Sequence, residues 1–493
     1  MVSSPGLGLS RLQVLCGLLL AIATLGLTSC HSSQYYYYKF PQYTYAGRPI
    51  PPSLLAERVM IGVTANGSSG SLQIVDALRD IRSNIENTIP GFAISGYSSG
   101  SPAYIFNFPS EVRGYVYSTS DGSLTNINYS TESSTGSVGT FQTGVGSISI
   151  PTAFTRFYGA EEAAGILEVI DNVAGGTYAL NIPNVYKVAA NKGDTVALAM
   201  VRNSNVLYRV FKLNQNQFPT SQAAMTATGS VDCEPTLLPV YCAVQVPGTY
   251  DHPAGVYYSL DGTTAYVLNC GPECGGTTAS VTLLQQGPLN NNVIPTSTTQ
   301  PNPQIANVPV PGGVTAAISD GTTLYLAGQQ LQPDGLFEGF LSTMNQATNT
   351  ITGKYPISDG THTKMLFADN NTLWVGSQYC ATGEHQKLGL NYNCLTMVTL
   401  GGTAPKTQIV PNVTPGSASA VVPFPNQNDD QYYYGNLTGI CWVQNFNKIY
   451  TAYGGQVHIF STVDGSEIDN QFVTVQGTAL DVAYLDALTD DAN

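Results

Sequence analysis

One short pattern returns along the chain from residue 57 onward: an alternating β-rich segment, a tight turn, a second such segment, a variable loop and a third strand. The third strand is the most regular member. It reads SLQIVDA at 71, SLTNINY at 123, GILEVID at 165, VLYRVFK at 206, ASVTLLQ at 279, GFLSTMN at 339, CLTMVTL at 394 and QVHIFST at 456. The copies start about 40 to about 73 residues apart, which is the size of a supersecondary unit that cannot bury its own faces. The first halves are clearest in VYYSLDGTTAYVLN (256 to 269), AAISDGTTLYLAG (316 to 328), LFADNNTLWVG (366 to 376) and ICWVQNFNKIYTAY (440 to 453). Asp261-Gly262, Asp320-Gly321 and Asn370-Asn371 tolerate the positive φ of hairpin turns, and Tyr266, Tyr325, Trp374 and Tyr450 hold matching places after them.

Sheets of three or four strands repeated at this spacing bury their faces when each covers its neighbour around a closed ring, the arrangement of a β-propeller. The expected fold is therefore all-β: a single propeller of eight four-stranded blades, or seven if one early unit is not a true blade, spanning 55–493. ERVMIGVTANGSSGSLQIVDAL begins on the second strand of a unit, whereas TALDVAYLDA (478 to 487) is a strand with no hairpin partner after it. The last strand is thus expected to complete the first blade. The competing layout, two β-sandwiches, would place a linker at the Pro- and Asn-rich segment 285 to 309.

The segments SLDGTTAYVLNCGPECGGTTASVTLLQ and GSLQIVD resemble the YVTN-type β-propeller repeats of bacterial and archaeal surface proteins. The resemblance runs over most of the chain from about 57 to 487, but the Pro before Asp-Gly is absent and AANKGDTVALAM replaces that turn in the fourth unit. It implies fold and surface location, not an activity.

Residues 1–29 carry Arg11, no acid and an apolar run from Leu12 to Leu27, the length of a secretory signal's hydrophobic region and short for a membrane span. Leu27-Thr28-Ser29-Cys30 resembles the lipobox of bacterial lipoproteins. That resemblance implies cleavage before Cys30, thioether lipidation of its sulfur and an anchor in the membrane. His31 and Ser32 are not the aspartate that retains enterobacterial lipoproteins at the inner membrane, so a bacterial cell-envelope, outer-membrane location is expected. Residues 30–54, rich in Tyr and Pro, read as an extended tether.

The chain carries 18 basic and 32 acidic residues with no basic run, and loss of Arg11 with the leader makes it more acidic still. Such a surface repels phosphate backbones, which argues against nucleic acid as a partner. In an exported protein the near pairs Cys233 with Cys242, Cys270 with Cys274 and Cys380 with Cys394 read as local disulfides, and Cys441 as a buried thiol. CGPEC lacks the second pair that a structural zinc site needs.

The five histidines show no metal-ligand spacing, and no nucleophile, P-loop or haem-attachment motif is present. No catalytic set and no cofactor are therefore expected. Glu161-Glu162 beside Arg156 are weak metal candidates, with a solvated turn the plainer reading. The expected role is noncatalytic binding of a protein or glycan by a membrane-anchored scaffold. The alternatives are a metal-dependent hydrolase, such as a lactonase on a propeller, and a structural component of a surface layer.

Overall fold

The computed structural model describes residues 45, 47–81, 92–213, 230–233, 240–293, 302–412, 433–468, 473 and 475–490, with side chains at 230–233 and 240 left aside. From Arg48 onward the chain forms one compact unit of eight antiparallel sheets. Six have four strands in sequential order; blade 2, for example, runs Pro102–Phe108, Arg113–Ser118, Ser123–Asn128 and Ser133–Thr140. Blade 1 pairs Gly70–Asp76 with Arg58–Thr64 and Arg58–Thr64 with Thr478–Tyr484, and an isolated bridge from Gln73 to Ala93 extends its outer edge. Blade 4 carries a fifth strand, because Ser230–Cys233 adds outside Val240–Gln245. The eight third strands are the eight read from the sequence, and the last strand closes blade 1 as expected. In place of an interdomain linker, Gln304–Pro309 is the outer strand of blade 5.

The hairpin residues behave as their chemistry requires. Gly262 and Gly321 sit at φ +71° and +93°, and Asn370 and Asn371 at +60° and +55°. The aromatics after these turns point into interblade cores: Trp374 and Tyr450 are fully buried, Tyr266 and Tyr325 nearly so. Each core is shared by two blades. Tyr325, Ala327 and Leu341 of blade 6 pack with Leu373, Val375 and Val398 of blade 7, and Cys441, Val443 and Tyr450 of blade 8 pack with Val59, Ile61 and Val482 of blade 1.

An innermost strand has no neighbour on its channel side, so its outer N–H and C=O groups need other partners. Side chains of adjacent blades supply them. Tyr186 Oη donates to Pro253 O (2.6 Å), Thr315 Oγ1 to His362 O (2.8 Å), and Asn107 Nδ2 to Tyr484 O (2.7 Å). Ser149 Oγ accepts from Ala190 N (2.9 Å), and Asp481 Oδ2 from Ile105 N (2.9 Å).

Ring closure is reinforced at one buried ion cluster. The Arg58 guanidinium binds Asp486 through Nε (3.0 Å) and Nη2 (2.7 Å), and Glu132 and Tyr129 O through Nη1 (3.0 and 2.6 Å). All three charged side chains are at most 6% exposed. Residues 48–54, within the expected tether, already contact this cluster: Arg48 pairs with Asp486, and Ser53 binds Glu132 through its N–H and its hydroxyl. Removing the arginine would leave buried Glu132 without a cation and Asp486 with Arg48 alone, so Arg58→Ala should lower stability by about 3 kcal/mol in denaturant titration. Deleting residues 478–493 should abolish the cooperative unfolding transition altogether, because blade 1 loses its inner strand.

Candidate functional site

Strand direction divides the ring into two faces. The turns joining first to second strands, and the segment leading into Arg58, lie on one face, here the entry face. The loops joining second to third strands, and the links between blades, lie on the other, the loop face. Both described disulfides belong to the loop face. Cys270–Cys274 closes a turn after Thr264–Asn269 of blade 5, and Cys380–Cys394 ties off the insertion between Thr372–Gln378 and Leu395–Thr399 of blade 7. Closing a loop of the second size contributes about 3 kcal/mol in the chain-entropy account. Cys242 is also disulfide-bonded and pairs in register with Cys233, whose side chain lies outside the described residues. Cys441 is a buried free thiol, as read from the sequence.

Seven of the eight inner strands carry a β-bulge near their start, with the extra residue being Ala103, Tyr186, Ala254, Thr315, Thr363, Thr438 or Leu480. A bulge sharpens twist and re-aims the residue that follows. The following residues therefore share one register level: Tyr104, Lys187, Gly255, Ala316, Lys364, Gly439 and Asp481. Two lysines and one aspartate thus stand at the waist of the channel. Lys364 Nζ of blade 7 lies 3.5 Å from Asp481 Oδ1 of blade 1, across blade 8. Gly439 makes this approach feasible, since a Cβ there would sit 2.4 Å from Asp481 Oδ1. Burial raises the Asp481 carboxyl above its ordinary range, partly offset by Lys364 and the Ile105 N–H. A cavity of about 440 Å³ runs from this pair toward the entry face, lined by Tyr104, Phe108, Met365 and Lys192 among others.

On the loop face a wider mouth of about 700 Å³ opens between blades 3 and 7, built by Tyr186, Lys187, Arg202, Glu273, Thr315 and Gln329. Lys187 Nζ donates to Ala254 O (2.6 Å), and burial pushes its ammonium down to about 8. Arg202 lies over the Tyr186 ring, 4.1 Å from its centroid, and pairs with Glu162. Glu273, inside the disulfide-closed turn, accepts from Leu331 N (3.2 Å) and has its carboxyl raised by burial. The mouth thus joins a poised amine, a guanidinium stacked on a ring and a carboxyl, a surface suited to hydrogen-bonding a polar ligand.

The glutamates flagged in the sequence separate. Glu162 is exposed on Arg202, whereas Glu161 ends a strand and is buried to 7% exposure, so only Glu162 occupies a solvated turn. The histidines stay apart. His252, His385 and His458 bind Asp251, Asp359 and Glu467, and His362 is buried against Ser358 O, with burial holding it near 4. His385, in the loop closed by Cys380–Cys394, is 12% exposed at its side chain because it docks on Asp359. His31, Cys30 and residues 31–44 lie outside the described residues. Among the described residues no group of three His, Cys, Asp or Glu is placed to hold a metal ion. The mouth was not legible beforehand; the one local signal was CGPEC.

An eight-bladed β-propeller with a polar mouth on its loop face is the class that fold and site define. No protein-family model matches the chain, and no curated protein sequence does. Solved structures of similar fold include the Kuenenia stuttgartiensis hydrazine synthase, 11% identical over 77% of this chain and 99% of that one, with a TM-score of 0.45. Dihydro-heme d1 dehydrogenase NirN is 10% identical over 91% and 83% (TM-score 0.48), and the Myceliophteria thermophila Cps50 (Swd1) β-propeller domain 10% identical over 76% and 99% (TM-score 0.44). The fold assignment rests on the chain's own strand pairing.

Lys187 supplies a pH test of this geometry. An amine whose folded pKa lies below its unfolded value binds fewer protons when folded, so its contribution to stability rises with pH between about 8 and about 10.5. Lys187→Met should remove that part of the rise, read as the difference in unfolding free energy between the two proteins at each pH. Non-reducing peptide mapping should recover Cys380 and Cys394 in one linked species, and Cys441 should react with iodoacetamide only after denaturation.

Proposed function

We propose that this chain is a noncatalytic scaffold of the bacterial cell envelope, held at the outer membrane through lipidated Cys30, whose loop face binds a protein or glycan. The observation that carries the reading is the division of labour between the faces. The chain enters the ring at Arg48 on the entry face, and the described disulfides and the 700 Å³ mouth occupy the opposite one. A ring tethered on its entry side displays its braced loops. Tyr379, Leu388 and Leu390, in and beside the Cys380–Cys394 loop, are 65%, 59% and 49% exposed, and large side chains held on a braced loop suit recognition of a macromolecule. The mouth adds a cation, a carboxyl and aromatic stacking, the groups with which polar ligands such as glycans are gripped.

Two experiments test this. Feeding cells a clickable fatty acid should label the wild type and leave Cys30→Ala unlabelled; equal labelling would remove the anchor. Full-length protein in detergent should retain a cross-linked envelope partner, and replacement of residues 381–393 by a short Gly-Ser link, or Arg202→Ala, should cut its recovery at least about tenfold, the size of a single hot spot. Turnover of a lactone dependent on added metal would overturn the noncatalytic reading.

A further inference from the structure

Glu161 finds its partner not in its sequence neighbour but across the sheet. In blade 3 Arg156–Glu161 pairs with Ile166–Asp171 so that Glu161 faces Ile166 and Glu168 faces Gly159. The two carboxylates are then diagonal neighbours on one side of the sheet. Gly159 supplies no side chain between them; the Phe141 ring fills its place, 2.7 Å from where a Cβ would lie. Phe141 begins the link from blade 2 to blade 3, and that link folds over both acids: Gln142 N donates to Glu168 Oε2 (2.8 Å), and Gly144 lies against Glu161 Oε1. From blade 2, Tyr117 packs on Phe141 with ring centroids 6.2 Å apart.

The pocket is charged and unbalanced. Glu161 and Glu168 are 7% and 4% exposed and Tyr117 is fully buried. Among the described residues Glu161 Oε2 and Tyr117 Oη have no hydrogen-bond partner. Neither glutamate joins an ion pair among the described residues; the nearby Arg156 and Lys212 are committed to Asp194 and Asp171. Burial, and then the Glu161 charge, raises the Glu168 carboxyl, and burial with Tyr104 and both glutamates pushes the Tyr117 phenol up to about 12. Two buried carboxylates without a counter-charge are costly, and the unpartnered oxygens of Glu161 and of Tyr117, whose phenol feels the charge of both glutamates, are donor atoms with nothing to bind. Every free donor is oxygen, which selects a hard cation over zinc or copper. A site supported partly by a loop, whose oxygens come from two strands of one blade and one of the next at irregular spacing, suits calcium's flexible coordination better than the strict octahedron of magnesium.

We propose that Glu161, Glu168 and Tyr117 form a Ca2+ site at the junction of blades 2 and 3. The ion neutralises both carboxylates and clamps the Phe141–Gly146 link, whose Gly144 and Gly146 line the loop-face mouth. The proposal does not depend on the role assigned to the mouth.

The test uses the full chain in detergent, stripped with a chelator and titrated with CaCl2 alone. Calcium at about 100-fold above its Kd should raise the melting temperature by several degrees, with heat of binding near one ion per chain. Glu161→Gln and Glu168→Gln, which keep the side-chain shape and remove the charge, should each weaken calcium binding at least about tenfold while folding normally without it. Glu162→Gln, on the exposed neighbour, should bind calcium as the wild type does. Calcium that neither binds nor stabilises the wild type overturns the proposal, as does a Glu161→Gln protein that binds it unchanged. A stripped wild type that gains stability only as pH falls from 7 toward 5, unaffected by calcium, shows the two acids sharing a proton and overturns it equally.

Discussion

The structure depends on what happens at the inner edge of each sheet. A four-stranded blade has two apolar faces and two unpaired edges, and neither is tolerable alone in water. Curling eight blades into a ring solves the faces by mutual cover, but it gathers eight bare edges around one axis. The chain satisfies them with side chains from adjacent blades, as Tyr186, Thr315, Asn107 and Asp481 do. The ring is therefore stitched at its axis as well as packed between its blades. Arg58, Asp486 and Glu132 repeat the stitch where the two ends of the ring meet.

The same edges create the channel's chemistry. Bulges at one level in seven inner strands turn the next residues to a common height, and small residues in some blades make room for charged ones in others. Gly439 clears the way between Lys364 and Asp481. At the same level, Lys187 reaches the Ala254 carbonyl rather than an acid, and burial leaves its amine poised. The mouth thus combines a rigid, bulged floor with a rim of loops joining second to third strands, one of them closed by Cys270–Cys274. Rigid floor and variable rim are what let one scaffold take many ligands.

Architecture was legible because it is local. Alternation in SLQIVDA or VLYRVFK, the Asp-Gly turns and the aromatic after each turn are all settled within a dozen residues, and repetition raised eight weak signals into one strong one. The disulfides Cys270–Cys274 and Cys380–Cys394 were legible for the same reason, their partners being close along the chain. Even the missing first strand of blade 1 was visible, as a unit lacking its beginning and a last strand lacking a partner.

Chemistry was not local, and there the sequence misled or was silent. Adjacent Glu161 and Glu162 looked like a pair, yet alternation along a strand end sends one inward and leaves the other in a turn; Glu161's neighbour is Glu168, two positions along the facing strand. His385 carries no local mark of burial, yet Asp359, on the link from blade 6 to blade 7, lies beneath it. Lys187, Lys364 and Asp481 carry no motif at all, because their shared level arises from bulges in different blades. The sequence by itself determined how many sheets form and in what order, since hairpin pairing needs only neighbouring residues. Which side chains meet was decided by tertiary structure alone, because closing the ring brings together blades that are distant along the chain.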